Sequence, residues 1–176
     1  MMNTSNILFV DLDGTLVRED TMFFLTKKLI LKSPMIFMKI LFKSKFEIQV
    51  YKALLAYESL NALVFYNFTF NFKVLDLMKK YKNQKRKVII ISGANEKIVN
   101  FFFKKFNFID NYYGSNQFIN LVGKNKIQLI EKIYPNESFD YVGNSGSDVP
   151  IWNESRICYS VKSMRFKGLK KNLKYI

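Results

Sequence analysis

The chain has 176 residues, 49% of them apolar and 24% charged, a balance that fits one folded domain, or one core with a small insert, and excludes a disordered chain. Histidine is absent, which removes Ser-His and Cys-His catalysis, imidazole metal sites and imidazole proton shuttles together, and the single cysteine, Cys158, excludes an intrachain disulfide and suits a reducing cytoplasm. The net charge of +14 invites anionic partners, but the excess is almost all lysine, with Arg18, Arg86, Arg156 and Arg165 the only arginines; base-edge readout favours arginine, so nucleic acid is not the expected partner.

Met1 to Asn6 is polar and not a signal peptide. It leads into Ile7 to Val10, a short apolar run of the kind that forms a buried parallel strand. Asp11-Leu12-Asp13-Gly14-Thr15 follows. Residues two apart in an extended chain share a face, so Asp11 and Asp13 point into one space while Leu12 points back into the core. Two such close carboxylates repel, and a hard cation held by few protein oxygens, such as magnesium, relieves the repulsion. Gly14 permits a sharp turn, and the Thr15 hydroxyl is suited to bonding the local backbone. On its own Asp11-Leu12-Asp13-Gly14 is also an ordinary solvated turn.

From Thr21 to Tyr81 the spacing is helical, with a break at Ser33-Pro34, and the stretch is far longer than a crossover requires. It predicts a helical insert over 21–81 on a core made of 1–20 and 82–176. Within it, Leu29 to Phe46 is both basic and apolar, and Ala53 to Phe72, though weakly charged, is broken by Asn61, Asn67, Thr69 and Asn71 and reads as buried helix plus connection instead of a membrane span. Val88 to Ile91 is a second buried strand ending in a turn Ser92-Gly93-Ala94-Asn95, and Glu96 to Phe106 a helix. Lys126 to Ile133 is a further helix, with Lys124 and Lys126 both just after Gly123. Phe139 to Val142 and Ile157 to Val161 are the remaining strands, the former ending in Gly143-Asn144-Ser145-Gly146-Ser147-Asp148. There Asp148 is suited to cap a helix starting at Val149. Alternating strands and helices predict an α/β fold with a parallel sheet, and ligands of such sheets bind outside the carboxyl ends of the strands, where the three turns would meet. At the end of the chain, Phe166, Leu169, Leu173 and Ile176 fall on one helical face among Lys167, Lys170, Lys171 and Lys174, a pattern of either a packed terminal helix or one lying on an anionic membrane.

Val10-Asp11-Leu12-Asp13-Gly14-Thr15-Leu16 resembles the first motif of the haloacid dehalogenase superfamily. Ser92, a lysine near Gly123 and Gly143 to Asp148 resemble its second, third and fourth in the right order over nearly the whole chain. The resemblance implies a Rossmann-like core with a helical cap inserted after the first strand, and a magnesium-dependent phosphomonoesterase at the cytoplasmic side. It makes Asp11 the nucleophile of an aspartyl-phosphate and Asp13 the general acid and base. Ser92 and Gly93 become phosphate-binding, as does Lys126, preferred to Lys124 by its spacing from Gly123. Asp11, Asp13, Asn144 and Asp148 become the magnesium site. Asn144 stands where most of the superfamily has aspartate, which lowers the negative charge at the cation and implies weaker metal binding and weaker activity. Phosphoryl transfer to an alcohol is a close variant of the same chemistry. A narrower resemblance, carried by Phe139 to Ser145, Asp148 to Trp152 and Asn120 to Gly123, is to the domains often joined to UbiA-type prenyltransferases. It implies a sugar or prenyl-linked phosphate as substrate and a separate prenyltransferase as partner. The alternative, motivated by Asn144 and the basic amphipathic tail, is a weakly active module that docks on and regulates such an enzyme, with peripheral membrane contact.

Overall fold

The computed structural model describes residues 7–45, 47–64 and 66–176; the expectations for Met1 to Asn6 and for Phe46 lie outside them. In chain order the elements are β1 (Ile7–Val10), α1 (Thr21–Lys32), α2 (Pro34–Ser44), α3 (Ile48–Ser59), a 3-10 turn (Leu60–Leu63), α4 (Phe72–Asn83), β2 (Lys87–Asn95), α5 (Glu96–Phe103), β3 (Asn111–Ser115), α6 (Lys124–Ile133), β4 (Phe139–Gly143), a 3-10 turn (Gly146–Asp148), α7 (Val149–Glu154), β5 (Cys158–Ser160) and β6 (Leu173–Tyr175). The six strands form one parallel sheet in the order β3-β2-β1-β4-β5-β6.

β1 is central and buried on both faces, which is why its sequence is an unbroken apolar run. Leu8 and Val10 point to one face, with Val88, Ile90 and Val142 beside them, and helices α1 to α5 cover that face through Leu25, Leu29, Ile40, Leu55, Met78 and Phe102. Ile7 and Phe9 point to the other, which α6, α7 and the chain end cover through Ile130, Ile151, Trp152, Phe166 and Leu169. The result is the three-layer α/β sandwich expected from the alternating pattern. Asp140, fully buried in β4, is neutralised by a two-pronged Arg156 guanidinium at 3.0 and 2.7 Å and accepts a hydrogen bond from the Tyr81 hydroxyl of α4 at 2.5 Å, so α4 is tied directly to the sheet.

The break at Ser33-Pro34 separates α1 from α2, with Pro34 in the first turn of α2 where its missing N–H costs nothing. Three other expectations are corrected. Ser92 to Asn95 is not a free turn: β2 runs to Asn95, with a register shift against β3 between Ile91 and Asn95 that re-aims the intervening residues. The helix after it ends at Phe103, not Phe106. The chain end is not a helix. Gly168 adopts φ +82, Leu173–Tyr175 pairs with β5 as β6, and the residues expected on a helical face pack instead on the core, Phe166 against Trp152 with ring centroids 5.0 Å apart.

Candidate active site

The loop after β1 is built by its backbone. The Asp11 amide still bonds the Val142 carbonyl of β4, and the Thr15 and Val17 amides then turn back onto the Leu12 carbonyl. Leu12 is wholly buried in the core, so Asp11 and Asp13 project together on the other side. Gly14 has φ +67, which favours glycine, and a Cβ there would also push aside the Asn144 amide. The Thr15 hydroxyl does not make the expected bond: it is buried without a hydrogen-bond partner among the described residues.

A pocket of ≈ 260 Å³ opens where β1, β2 and β4 end, lined by Asp11 and Asp13, by Ser92, Gly93 and Ala94, by Asn144, Ser145 and Ser147, and by Lys126. Ser92 is buried, its Oγ accepting from the Ala94 amide at 3.1 Å. Of the two lysines after Gly123, Lys126 comes inward from the first turn of α6 and places Nζ 2.8 Å from Asp11 Oδ1, while Lys124 is exposed and lines a separate surface depression with Val149 and Pro150.

Lys126 also donates to the Tyr141 hydroxyl at 2.8 Å, and that hydroxyl donates to Asp148 Oδ1 at 2.7 Å. A buried chain Asp11–Lys126–Tyr141–Asp148 therefore runs under the pocket. Asp148 is 1% exposed, and its Oδ2 accepts from the amides of Asn144 and Ser145 at 3.0 and 3.1 Å. It thus braces the β4 loop, and it forms no side-chain cap on α7. Both its oxygens are engaged, and it lies behind the residues that line the pocket. A Cβ at Gly143 would lie 2.6 Å from Asp148 Oδ2, so this packing also requires a glycine.

Three residues to which no motif assigned a role complete the site. Asp20 caps α1 through the Phe23 amide at 2.8 Å and lines the pocket. Lys52, from α3, enters the pocket and donates to the Gly93 carbonyl at 2.6 Å and to Asn120 Oδ1 at 2.8 Å. Tyr141 is the third. The one available cue for Lys52 was a cation among apolar residues on a helix (Val50, Tyr51, Ala53, Leu54), which solvated faces share.

Burial sets the protonation of these groups. It pushes the Asp11 carboxyl up to about 6 although the Lys126 charge pulls the other way, and it pushes Asp13 up to about 7 against the stabilising Thr21 amide. Burial likewise opposes the charge on Lys126, but Asp11 and Asp148 outweigh it and hold the amine above its usual range. Lys52 is lowered by burial despite Asp13 and Asp20 nearby. Among the described residues no three of His, Cys, Asp and Glu cluster tightly enough to form a metal site by themselves. What the pocket does offer is Asp11, Asp13 and the Asn144 amide, all hard oxygen donors, around space that water can fill. This fits a cation such as magnesium, which keeps several waters and takes few protein ligands.

No family model matches the chain. A curated relative, the uncharacterised protein y4nM of Sinorhizobium fredii (strain NBRC 101917 / NGR234), is 29% identical over 80 residues, which span 46% of this chain and 15% of that protein. Among solved structures, phosphoserine phosphatase in its apo form superposes with a TM-score of 0.63 at 15% identity, covering 89% of this chain and 86% of that one. A haloacid dehalogenase family hydrolase, t0658 of Salmonella enterica serovar Typhi, superposes at 0.59 and 14% identity, covering 88% of this chain but 61% of its own. A protein of unknown function from Bordetella pertussis Tohama I reaches 0.64 at 10% identity, covering 89% and 90%. At such identities the likeness establishes the fold.

Proposed function

From the premise that this chain has the fold of the haloacid dehalogenase hydrolases, we propose that it is a magnesium-dependent phosphomonoesterase working through an aspartyl-phosphate on Asp11. The observation that carries the reading is Lys126 Nζ at 2.8 Å from Asp11 Oδ1 in a pocket that Asp13 and Ser92 also line. A carboxylate held ionised by a buried ammonium, beside a second acid, suits attack on phosphorus better than any structural need of a strand end.

An Asp11 oxygen forms a bond to phosphorus while the bond from phosphorus to the leaving oxygen breaks, and Asp13 gives its proton to that oxygen. Water then attacks the same phosphorus, Asp13 takes the water's proton, and phosphate leaves as Asp11 is restored. A carboxyl pushed up to about 7 can hold the proton in the first half and receive it in the second at neutral pH. Lys126 and the Ser92 hydroxyl neutralise and orient the phosphoryl oxygens. When bound, magnesium would supply positive charge to the transferring group, held by Asp11, the Asn144 amide and water, while the Asp13 side chain is kept for the proton. Asp148 acts one layer out, fixing Lys126 through Tyr141.

We place α1 to α3 as the cap that selects the substrate, with α4 belonging to the core. Lys52 is the part of that cap within the pocket. A pocket of ≈ 260 Å³ suits a phosphoryl group and a small leaving group. The test is phosphate release with and without magnesium over sugar and prenyl phosphates, comparing the native chain with Asp11→Asn. Magnesium-dependent release abolished in the variant is expected, and release that the variant retains contradicts the proposal. Adding an alcohol acceptor separates hydrolysis from phosphoryl transfer.

A further inference from the structure

The pair of helices α1 and α2 has an outward surface that the core does not use. On α1 the buried residues are Thr21, Leu25 and Leu29, and the opposite face carries Phe23, Lys27, Ile30 and Leu31. On α2 the buried residues are Ile40 and Ser44, and the opposite face carries Met35, Met38 and Phe42 flanked by Lys39 and Lys43. Phe23, Leu31, Met35 and Phe42 are between 68% and 74% exposed, so these side chains give almost nothing to the fold. Both helices contribute to the same core cluster, so both bare faces look away from the molecule. Isolated exposed apolar residues are ordinary on a protein surface; a run of them on two adjacent helices marks a contact surface.

Charge identifies the occupant. Residues 21–45 contain Lys27, Lys28, Lys32, Lys39, Lys43 and Lys45 and no Asp or Glu. A second copy of this chain would bring a like-charged set face to face, which opposes self-association. Large apolar side chains at the centre of a helical face with lysines along its edges match an anionic bilayer instead: the apolar groups enter the acyl boundary and the ammonium groups meet lipid phosphates. We propose that the α1–α2 hairpin docks this protein peripherally on an anionic lipid surface. The tail, whose spacing suggested the same role, is excluded from it because Phe166, Leu169 and Leu173 are already packed on the core.

The docking surface is independent of the phosphatase chemistry and is tested without it. The full chain is sedimented with vesicles of phosphatidylcholine alone and of phosphatidylcholine with phosphatidylglycerol. Binding is expected only to the latter, weakening as salt rises. Leu31→Ser/Met35→Ser/Phe42→Ser, whose wild-type residues are exposed and whose fold is checked by circular dichroism, should weaken partitioning at least about tenfold, because three large apolar side chains no longer enter the acyl boundary. Lys27→Gln/Lys39→Gln/Lys43→Gln should weaken it similarly, whereas the charge-matched Lys167→Gln/Lys170→Gln/Lys174→Gln should stay within about twofold. No binding to anionic vesicles, equal loss in both lysine variants, or a concentration-dependent dimer abolished by the hairpin substitutions overturns the proposal.

Discussion

Lys126 meets the energetic demands of two regions at once. It is 3% exposed, neutralises Asp11 and bonds Tyr141, and it lies 3.6 Å from Asp148. Removing one partner of a buried ion pair costs about 3–5 kcal/mol because the other charge is left behind, so Lys126→Ala should lose roughly that much stability in denaturant melts, and should lose activity even where it remains folded. The two aspartates give a pH signature. Burial raises both carboxyls from 3.8, to about 6 and about 7, so the folded state binds protons more tightly than the unfolded chain. The stability this confers is complete below about pH 4 and is lost as pH rises through 6 and 7. Thermal melts of the metal-free protein should therefore fall between pH 5 and pH 8, and Asp13→Asn should flatten that fall and raise the melting temperature at pH 8. A melting temperature that rises over this range would contradict the assignment. Asn144→Asp returns a negative charge to the pocket. One unit charge at short range exceeds the roughly 1.4 kcal/mol that makes tenfold, so the magnesium needed for half-maximal activity should drop about tenfold or more.

Elements were legible in proportion to their burial. β1, β2 and β4 are covered on both faces and announce themselves as apolar runs, and the helix around Lys126 shows its period plainly. β3, Asn111-Tyr112-Tyr113-Gly114-Ser115, is an edge strand with one neighbour, and it lacks the run that would have revealed it. β6 has three residues and one is lysine. Phe166, Leu169, Leu173 and Ile176 carry a helical spacing that the chain satisfies differently: the same residues are the inward ones, but Gly168 turns the backbone and pairing with β5 takes over. Phe166→Ala should thus cost roughly 2–3 kcal/mol, somewhat under the value for a fully buried phenylalanine, measured by equilibrium unfolding. A tail free of the core would show no change. The three motif turns were readable because each holds residues that a turn alone does not need. Lys52 and Tyr141 were not, because what defines them is contact across 41 residues to Gly93 and 15 to Lys126, and spacing carries no such information.

The whole molecule separates its tasks by face. The carboxyl ends of the central strands hold the acids and lysines, one side of the sheet is closed by α6, α7 and the chain end, and the other carries α1 to α3 with their bare basic surface. The +14 charge is therefore not uniform in meaning: Lys126 and Lys52 turn inward to the pocket, while the hairpin lysines face out. The central claim is that Asp11 takes the phosphoryl group, and it is tested most directly by mixing the protein with magnesium and a reactive phosphomonoester, quenching in acid, and weighing its peptides. The account predicts the mass of one phosphoryl group on the peptide containing Asp11, absent without magnesium and absent in Asp11→Asn. Turnover of the ester with that peptide unmodified at every quench time, or with the group on another residue, would contradict it.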